Sequence, residues 1–184
     1  MTRSIAVLVG SLRKDSFTRK VAHAIAAVTP GLAFTHVEIG NLPLYDQDVD
    51  AAPPAPWTAL RDTLRGADGY LFATPEYNRS VPGVLKNAID VASRPYGKSA
   101  FGTGKPGAVV SVSPGALGGF GANHHLRQSL VFLDVAVLQQ PEMYINQAAK
   151  LFDASGALAS DDTKALFTRF GAAFTAWVEQ HAPR

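Results

Sequence analysis

Apolar residues along this chain come in two rhythms, short unbroken runs and longer stretches with one apolar face, and the two alternate. Ser4–Val9 reads as a first buried strand. Phe17, Val21, Ala24, Ile25 and Val28 then recur at helical spacing until Pro30-Gly31 ends the helix. Ala33–Ile39 is a second strand with partial alternation, and residues 40–56, with their prolines and acidic residues, read as an irregular surface loop. Trp57, Leu60 and Leu64 give a short second helix. Gly69–Thr74 is a third buried strand. Val84, Leu85, Ala88, Ile89 and Ala92 mark one face of a third helix, with Pro82 suited to its first turn. Residues 93–107 are rich in Gly, Pro, Lys and Ser and form a loop before a fourth strand, Ala108–Val112. A glycine-bearing segment, Ser113–Gly121, leads into a fourth helix with apolar positions Leu126, Leu130, Val131 and Leu133. Val135–Leu138 is the fifth strand, and Met143–Ile145 continues the apolar character beyond Pro141. After a turn-rich segment, the last helix carries Leu166, Phe167, Phe170, Ala173, Phe174, Trp177 and Val178 on one stripe. Asp161 and Asp162 sit near its start, where the helix dipole favours negative charge.

Five strands alternating with five helices predict an α/β fold: a three-layer, doubly wound parallel sheet in the order 2-1-3-4-5. No repeat, linker or composition break interrupts it, so residues 1–184 are expected to form one domain. That order sets the end of strand one beside the end of strand three. Residues 10–16 and 75–80 would then face one crevice at the carboxyl edge of the sheet, where such folds bind ligands.

Composition narrows the chemistry. The chain is 47% hydrophobic and 17% charged, which suits a packed domain. With no cysteine there is no disulfide, no thiolate nucleophile and no thiolate metal site. The net charge of +2 comes without a Lys/Arg cluster interleaved with aromatics, so nucleic acid is not an expected partner. The apolar run Ile5–Val9, broken by Gly10, is too short for a signal peptide or a membrane span; a cytoplasmic location is expected.

Three crossover loops hold the candidate chemistry. In the first, Gly10–Thr18, a helix N-terminus offers unpaired amides, Ser11, Ser16 and Thr18 offer hydroxyls, and Arg13 offers a planar cationic fork suited to phosphate. Asp15 or Ser16 could equally serve as an ordinary helix cap. The loop lacks the Lys of a P-loop, so a phosphate monoester fits better than a nucleoside triphosphate. In the second, Pro75–Ser80, backbone amides can meet the edge of a heteroaromatic ring and Tyr77 can cover its face. In the third, Gly115, Gly118, Gly119 and Gly121 allow close backbone approach, or simply a loose loop.

Other motifs fail on context. Gly102–Gly107 matches the dinucleotide fingerprint but precedes a strand and opens no helix. Asn78-Arg-Ser80 matches a glycosylation acceptor with no secretion signal. Adjacent His124 and His125 point apart on a helix and make a poor metal pair, so no metal site is expected. Ser113-Pro-Gly is not a nucleophile elbow. Glu142 reads as a surface charge or a partner behind the site. A phosphorylated planar ligand with few acids, bases or nucleophiles around it points to chemistry carried by a cofactor.

Taken together, Gly10–Ser16, the segment Pro75–Asn78 with Ser80–Asp90, and Ser113–Gly119 resemble the NAD(P)H-dependent FMN reductases of the flavodoxin-like fold, nearest the bacterial quinone and chromate reductase branch. The likeness runs in order over nearly the whole chain. It implies that FMN is the cofactor and NADH or NADPH the donor, with hydride passing to flavin N5 and on to a quinone or similar acceptor by a ping-pong scheme. The alternatives are FMN as a diffusible substrate for a monooxygenase, or a flavodoxin-type electron carrier. Ser11, Arg13, Ser16, Phe17 and Thr18 would hold the FMN phosphate, with Thr18 where family members often have Asn. Pro75, Glu76, Tyr77 and Asn78 would line the isoalloxazine ring, mainly through backbone, and Ser113, Gly115 and Gly118 would approach its pyrimidine edge. The flavin would carry the chemistry, with Tyr77 and Glu142 as candidate assisting groups. A homodimer or homotetramer is implied, with the third and fourth helices as interface candidates. Some relatives carry an Arg and a Tyr where this chain has Gly121 and His124, which bears on tetramer contacts and acceptor preference.

Overall fold

The structure, a computed structural model, describes residues 2–182. In chain order the elements are β1 (Arg3–Val9), α1 (Phe17–Ala27), β2 (Leu32–Val37), α2 (Ala55–Gly66), β3 (Gly69–Thr74), α3 (Gly83–Ala92), β4 (Pro106–Val112), α4 (Phe120–Phe132), β5 (Ala136–Val137), β6 (Met143–Ile145) and α5 (Asp161–His181). The strands pair in parallel in the order β2-β1-β3-β4-β5, and β6 also pairs with β4. This is the flavodoxin-like order expected. Every residue of β3 and β4 is buried, which is why they read as unbroken apolar runs: both faces of a parallel sheet are covered by helices. One face packs on α1 and α5, through Ile25, Phe167, Phe170 and Phe174; the other packs on α2, α3 and α4, through Trp57, Leu64, Leu85 and Leu130.

The expected fifth strand is in two pieces. The chain takes six residues from Val137 to Met143, while β4 takes three from Gly107 to Val110. The surplus bulges out around Pro141, which has no N–H to give to a ladder. Met143–Ile145 is therefore a strand in its own right. Three smaller expectations are corrected. Val131, placed on the apolar face of the fourth helix, is 73% exposed, because Leu126 and Leu130 already turn that helix's buried face to the sheet. Pro82 is the residue before α3, not part of its first turn; its extended ψ of 145° suits a cap. Residues 40–56 are not loose: Asn87 bonds the backbone of Leu42, Pro43 and Tyr45, and Trp57 Nε1 donates to Pro43 O at 3.0 Å.

The ends of β1 and β3 meet at Gly10, whose N–H donates to Ala73 O at 2.8 Å. A side chain there would press on Leu85 and Pro75 at 3.2 Å, so the first two loops sit as close as backbone permits.

Candidate active site

The first loop ends in a helix start built for an anion. Ser16 caps α1, its Oγ accepting from Arg19 N at 3.2 Å, and Ser16 O takes the amide of Lys20. The amides of Phe17 and Thr18, ahead of those, find no acceptor among the described residues. Ser11 and Thr18 are 4% and 3% exposed, and their hydroxyls, which are not sealed from solvent, bond to no other group among the described residues. Among the described residues Arg13 makes no ion pair; its guanidinium lies 5.6 Å over the Phe17 ring. Capping and ligand-binding are therefore not rivals here. Ser16 caps, and its neighbours are left with donors to spare.

The second loop is a tight hairpin. Tyr77 and Ser80 exchange backbone bonds of 3.1 and 3.0 Å across Asn78 (φ 52°) and Arg79 (φ 65°). Two residues at positive φ define a turn of the I′ type. Its docking is set by Glu76, whose Oε2 accepts from Ala122 N at 3.0 Å. That amide is in the first turn of α4, whose own cap position is Gly119 and supplies no side chain. Gly121 is required beside it, since a Cβ there would meet Arg79 O at 2.8 Å. Ser80 Oγ and His125 Nδ1 share a 2.7 Å hydrogen bond that ties the far end of the turn to the same helix. Glu76, expected to line the ring mainly through its backbone, thus directs its carboxylate at a helix end.

The third loop is fixed, not floppy. Gly118 (φ 59°) and Gly119 (φ 76°) take left-handed backbone, and a Cβ on Gly118 would strike the backbone of Tyr144 at 2.6 Å. Ser111 Oγ donates to Gly118 O at 2.7 Å. Asn123, fully buried, donates to Ser111 Oγ and Met143 O and accepts from Arg127 Nε. Ser113 N–H donates to Ile145 O, and Ala148 N–H to Ser113 O, which lashes this loop to the end of β6.

The loops enclose a cleft of about 250 Å³ lined by Ser11, Arg13, Ser16, Phe17, Thr18, Pro75, Glu76, Tyr77, Val112, Ser113, Pro114 and Ala148. Asn78, Gly115, Gly118 and Glu142 are not in its lining. Asn78 sits at the exposed hairpin tip, Gly118 packs on β6, and Glu142 is exposed in the bulge before it. Sequence reading missed Val112, Pro114 and Ala148. Ala148 in particular follows β6, and only recognising Met143–Ile145 as a strand would have carried the chain back to this edge. A larger hollow, about 340 Å³, lies between α3 and α4 and contains none of the loop donors. We assign the ligand chemistry to the smaller cleft because unpaired donors converge there.

Cation, hydroxyls and amides collect at one end of the cleft, and Phe17, Pro75, Val112 and Pro114 supply apolar surface. Glu76, the only carboxylate in the lining, is already bonded. This donor set fits a flat heteroaromatic ligand bearing a phosphate. Beside the cleft, Phe120, His124 and Tyr144 stack with centroids 4.2 to 5.9 Å apart, and Tyr144 Oη and His124 Nε2 are 2.9 Å apart. Burial, then the hydrogen bond and charge of the Glu142 carboxylate, push the Tyr144 phenol up to about 12. Among the described residues no group of His, Asp and Glu is arranged to hold a metal ion, and no helix is long and apolar enough to cross a membrane.

Residues 3–150 match the family model described as NADPH-dependent FMN reductase. A quinone reductase of Pseudomonas putida is 60% identical over 178 residues, 96% of this chain and 95% of that protein. A 2-hydroxy-1,4-benzoquinone reductase of Burkholderia sp. is 49% identical over 179 residues, 97% of each chain. Among solved structures, the flavoenzyme NAD(P)H:(acceptor) oxidoreductase FerB of Paracoccus denitrificans superposes with a TM-score of 0.92 at 39% identity, over 98% of this chain and 100% of that one.

Proposed function

Because this chain belongs to the NADPH-dependent FMN reductase family and is an oxidoreductase, we propose that it binds FMN in the cleft and uses NAD(P)H to reduce a quinone. The observation that carries the reading is the set of unpaired donors at the start of α1. The Arg13 fork, the hydroxyls of Ser11, Ser16 and Thr18, and the amides of Phe17 and Thr18 would hold the phosphate. Phe17, Pro75, Tyr77 and Ser113 would border the ring, with Asn78, Gly115 and Gly118 shaping the loops from behind. Glu76 would act through α4, by holding the hairpin in place. Tyr77, 51% exposed, is placed to cover a bound ring or the reactant lying on it. Glu142 would act on Tyr144, outside the cleft.

The chemistry supplied by the bound flavin is acceptance of a hydride at N5 and return of the electron pair to a quinone, which leaves as the hydroquinone after taking up two protons. With one cleft for both reactants, donor and acceptor alternate, and the kinetics are ping-pong. Parallel initial-rate lines at varied NAD(P)H are expected; intersecting lines would refute that scheme. The whole chain would act as one flavin-binding domain, assembled as a homo-oligomer through the α3–α4 face where Phe132 is 73% exposed. A sedimentation mass equal to the monomer would refute the assembly.

The decisive experiment is an anaerobic visible spectrum of the purified protein with FMN, before and after NADH or NADPH. A retained flavin band that bleaches on adding the coenzyme is expected. A retained band that does not bleach would indicate a carrier. NAD(P)H oxidation only with added, unretained FMN would make flavin a substrate.

A further inference from the structure

The first loop has a second side. Ser11 and Arg13 line the flavin cleft, but Leu12 between them lines a separate cavity of about 250 Å³, closed by α1 and the end of β2. Val9, Leu12, Val37 and Ile39 give it an apolar floor. Its rim is polar: Arg19 and His23 from α1, His36 from β2 and Glu38 just after it. The His23 and His36 rings lie face against face, 4.1 Å between centroids and 31° apart in tilt.

This rim holds one permanent cation, Arg19, two imidazoles and one carboxylate. Glu38, its one carboxylate, is occupied by the Gly40 N–H at 2.6 Å. Arg19 gives one guanidinium nitrogen to Ser11 O at 3.3 Å and keeps the rest of its five-donor fork. Burial, then the neighbouring His23 and Arg19, make His36 harder to protonate than a free imidazole. The groups facing His36 are thus His23 and Arg19 across from it and Glu38 just past the end of its strand; the first loop presents only Leu12. An anion between these donors would relieve their mutual repulsion and restore the protonated form. An apolar floor beneath an anion site is the pattern of a nucleotide pocket.

We propose that this cavity receives the 2′-phosphate of NADPH, with Arg19, His23 and His36 as donors and Leu12 as the surface under the adenosine half. The proposal rests on the NAD(P)H reading above and deepens it by assigning the group that distinguishes the two coenzymes. In dinucleotide-binding folds the same choice is made at the end of the second strand, by an acid for the ribose hydroxyl or a cation for the phosphate. Here the acid already accepts from the Gly40 N–H, while Arg19 keeps donors beyond its one bond to Ser11 O.

The test uses the full chain with FMN added. Ring proton signals of His23 and His36, assigned with His23→Gln and His36→Gln, are followed by NMR during titration with 2′,5′-ADP, 5′-AMP and inorganic phosphate. We expect 2′,5′-ADP to move both signals and to raise the apparent pKa of His36 at concentrations where 5′-AMP does nothing. The double variant should raise KM for NADPH about tenfold, the loss of one charge-assisted hydrogen bond, with KM for NADH unchanged. If inorganic phosphate or 5′-AMP acts as strongly as 2′,5′-ADP, the cavity is an adventitious anion patch and the proposal falls. Unmoved signals, or equal effects on both coenzymes, also overturn it. Failure of the broader reading would look different, as an unretained flavin band in the unmutated protein.

Discussion

Replacing Glu76 by alanine unclamps the second loop from α4. The carboxylate is 14% exposed and accepts from Ala122 N at 3.0 Å. No side chain of α4's own cap residue can substitute, because that residue is Gly119. Losing a helix cap costs about 1 kcal/mol, and a hydrogen bond to a charged group is worth roughly 1.5–3 kcal/mol. We therefore expect Glu76→Ala to lose about 2 kcal/mol, or roughly 6 °C in Tm for a chain of this size. Glu76→Gln keeps an acceptor and loses the charge at the helix start, a cost of about 0.5–1 kcal/mol. Arg79, 3.8 Å from Glu76 and 74% exposed, contributes an ion pair worth under about 0.5 kcal/mol. The assay is urea unfolding with m held constant, alongside flavin affinity, which should weaken most in Glu76→Ala. If Arg79→Ala loses as much as Glu76→Ala, the ion pair and not the cap holds the loop. If Glu76→Ala unfolds like the unmutated protein, the account of the hairpin's docking is wrong.

Three further outcomes are expected. Arg13→Ala should weaken FMN binding by about 1.5–3 kcal/mol, read by quenching of flavin fluorescence; an unchanged dissociation constant would remove Arg13 from the phosphate site. Arg79→Gly, at φ 65°, should raise stability by about 0.5–1 kcal/mol, since glycine takes the left-handed region without steric cost; a loss of stability would contradict the turn geometry. Asp68 is partly buried, which alone would raise its pKa, but bonds from Ser4 N–H, Ser4 Oγ and Arg3 outweigh this and hold it below the usual carboxylate value. Its contribution is therefore present above the ordinary carboxylate range and lost as pH falls through the depressed value. Asp68→Asn should be less stable than the unmutated protein at pH 7 and converge with it only once pH falls below the depressed carboxyl value; a gap that persists at still lower pH would assign the effect to packing.

The strands and helices were legible because burial on two faces writes itself as unbroken apolar runs, as in Tyr70–Ala73 and Ala108–Val110. Alternation and handedness narrowed the sheet to doubly wound orders, and the order 2-1-3-4-5 was chosen among them. The three loops were legible as donors, since Ser11, Arg13 and Thr18 carry their chemistry wherever the backbone puts them. What the residues could not reveal is direction. Glu76 sits in the expected loop and turns to a helix end twenty-odd positions past α3. Gly118 is required by the backbone of Tyr144, a contact set by a strand that reads as only three apolar residues. Val131 fits an apolar face on paper and is exposed because two leucines on the same helix already fill the space against the sheet.

The split fifth strand also decides how this molecule meets its own kind in concentrated solution. An uninterrupted strand at the margin of a parallel sheet would offer a long template for another chain to add to. Here β5 is two residues long, and its neighbourhood is occupied from within: Trp177 Nε1 donates to Ala136 O at 2.6 Å, Gln139 to Val137 O and Arg127 to Leu138 O. Pro141 adds a position with no donor at all. The bulge that looks like an irregularity in the sheet thus shortens this edge, and α5 delivers the tryptophan that occupies Ala136 O.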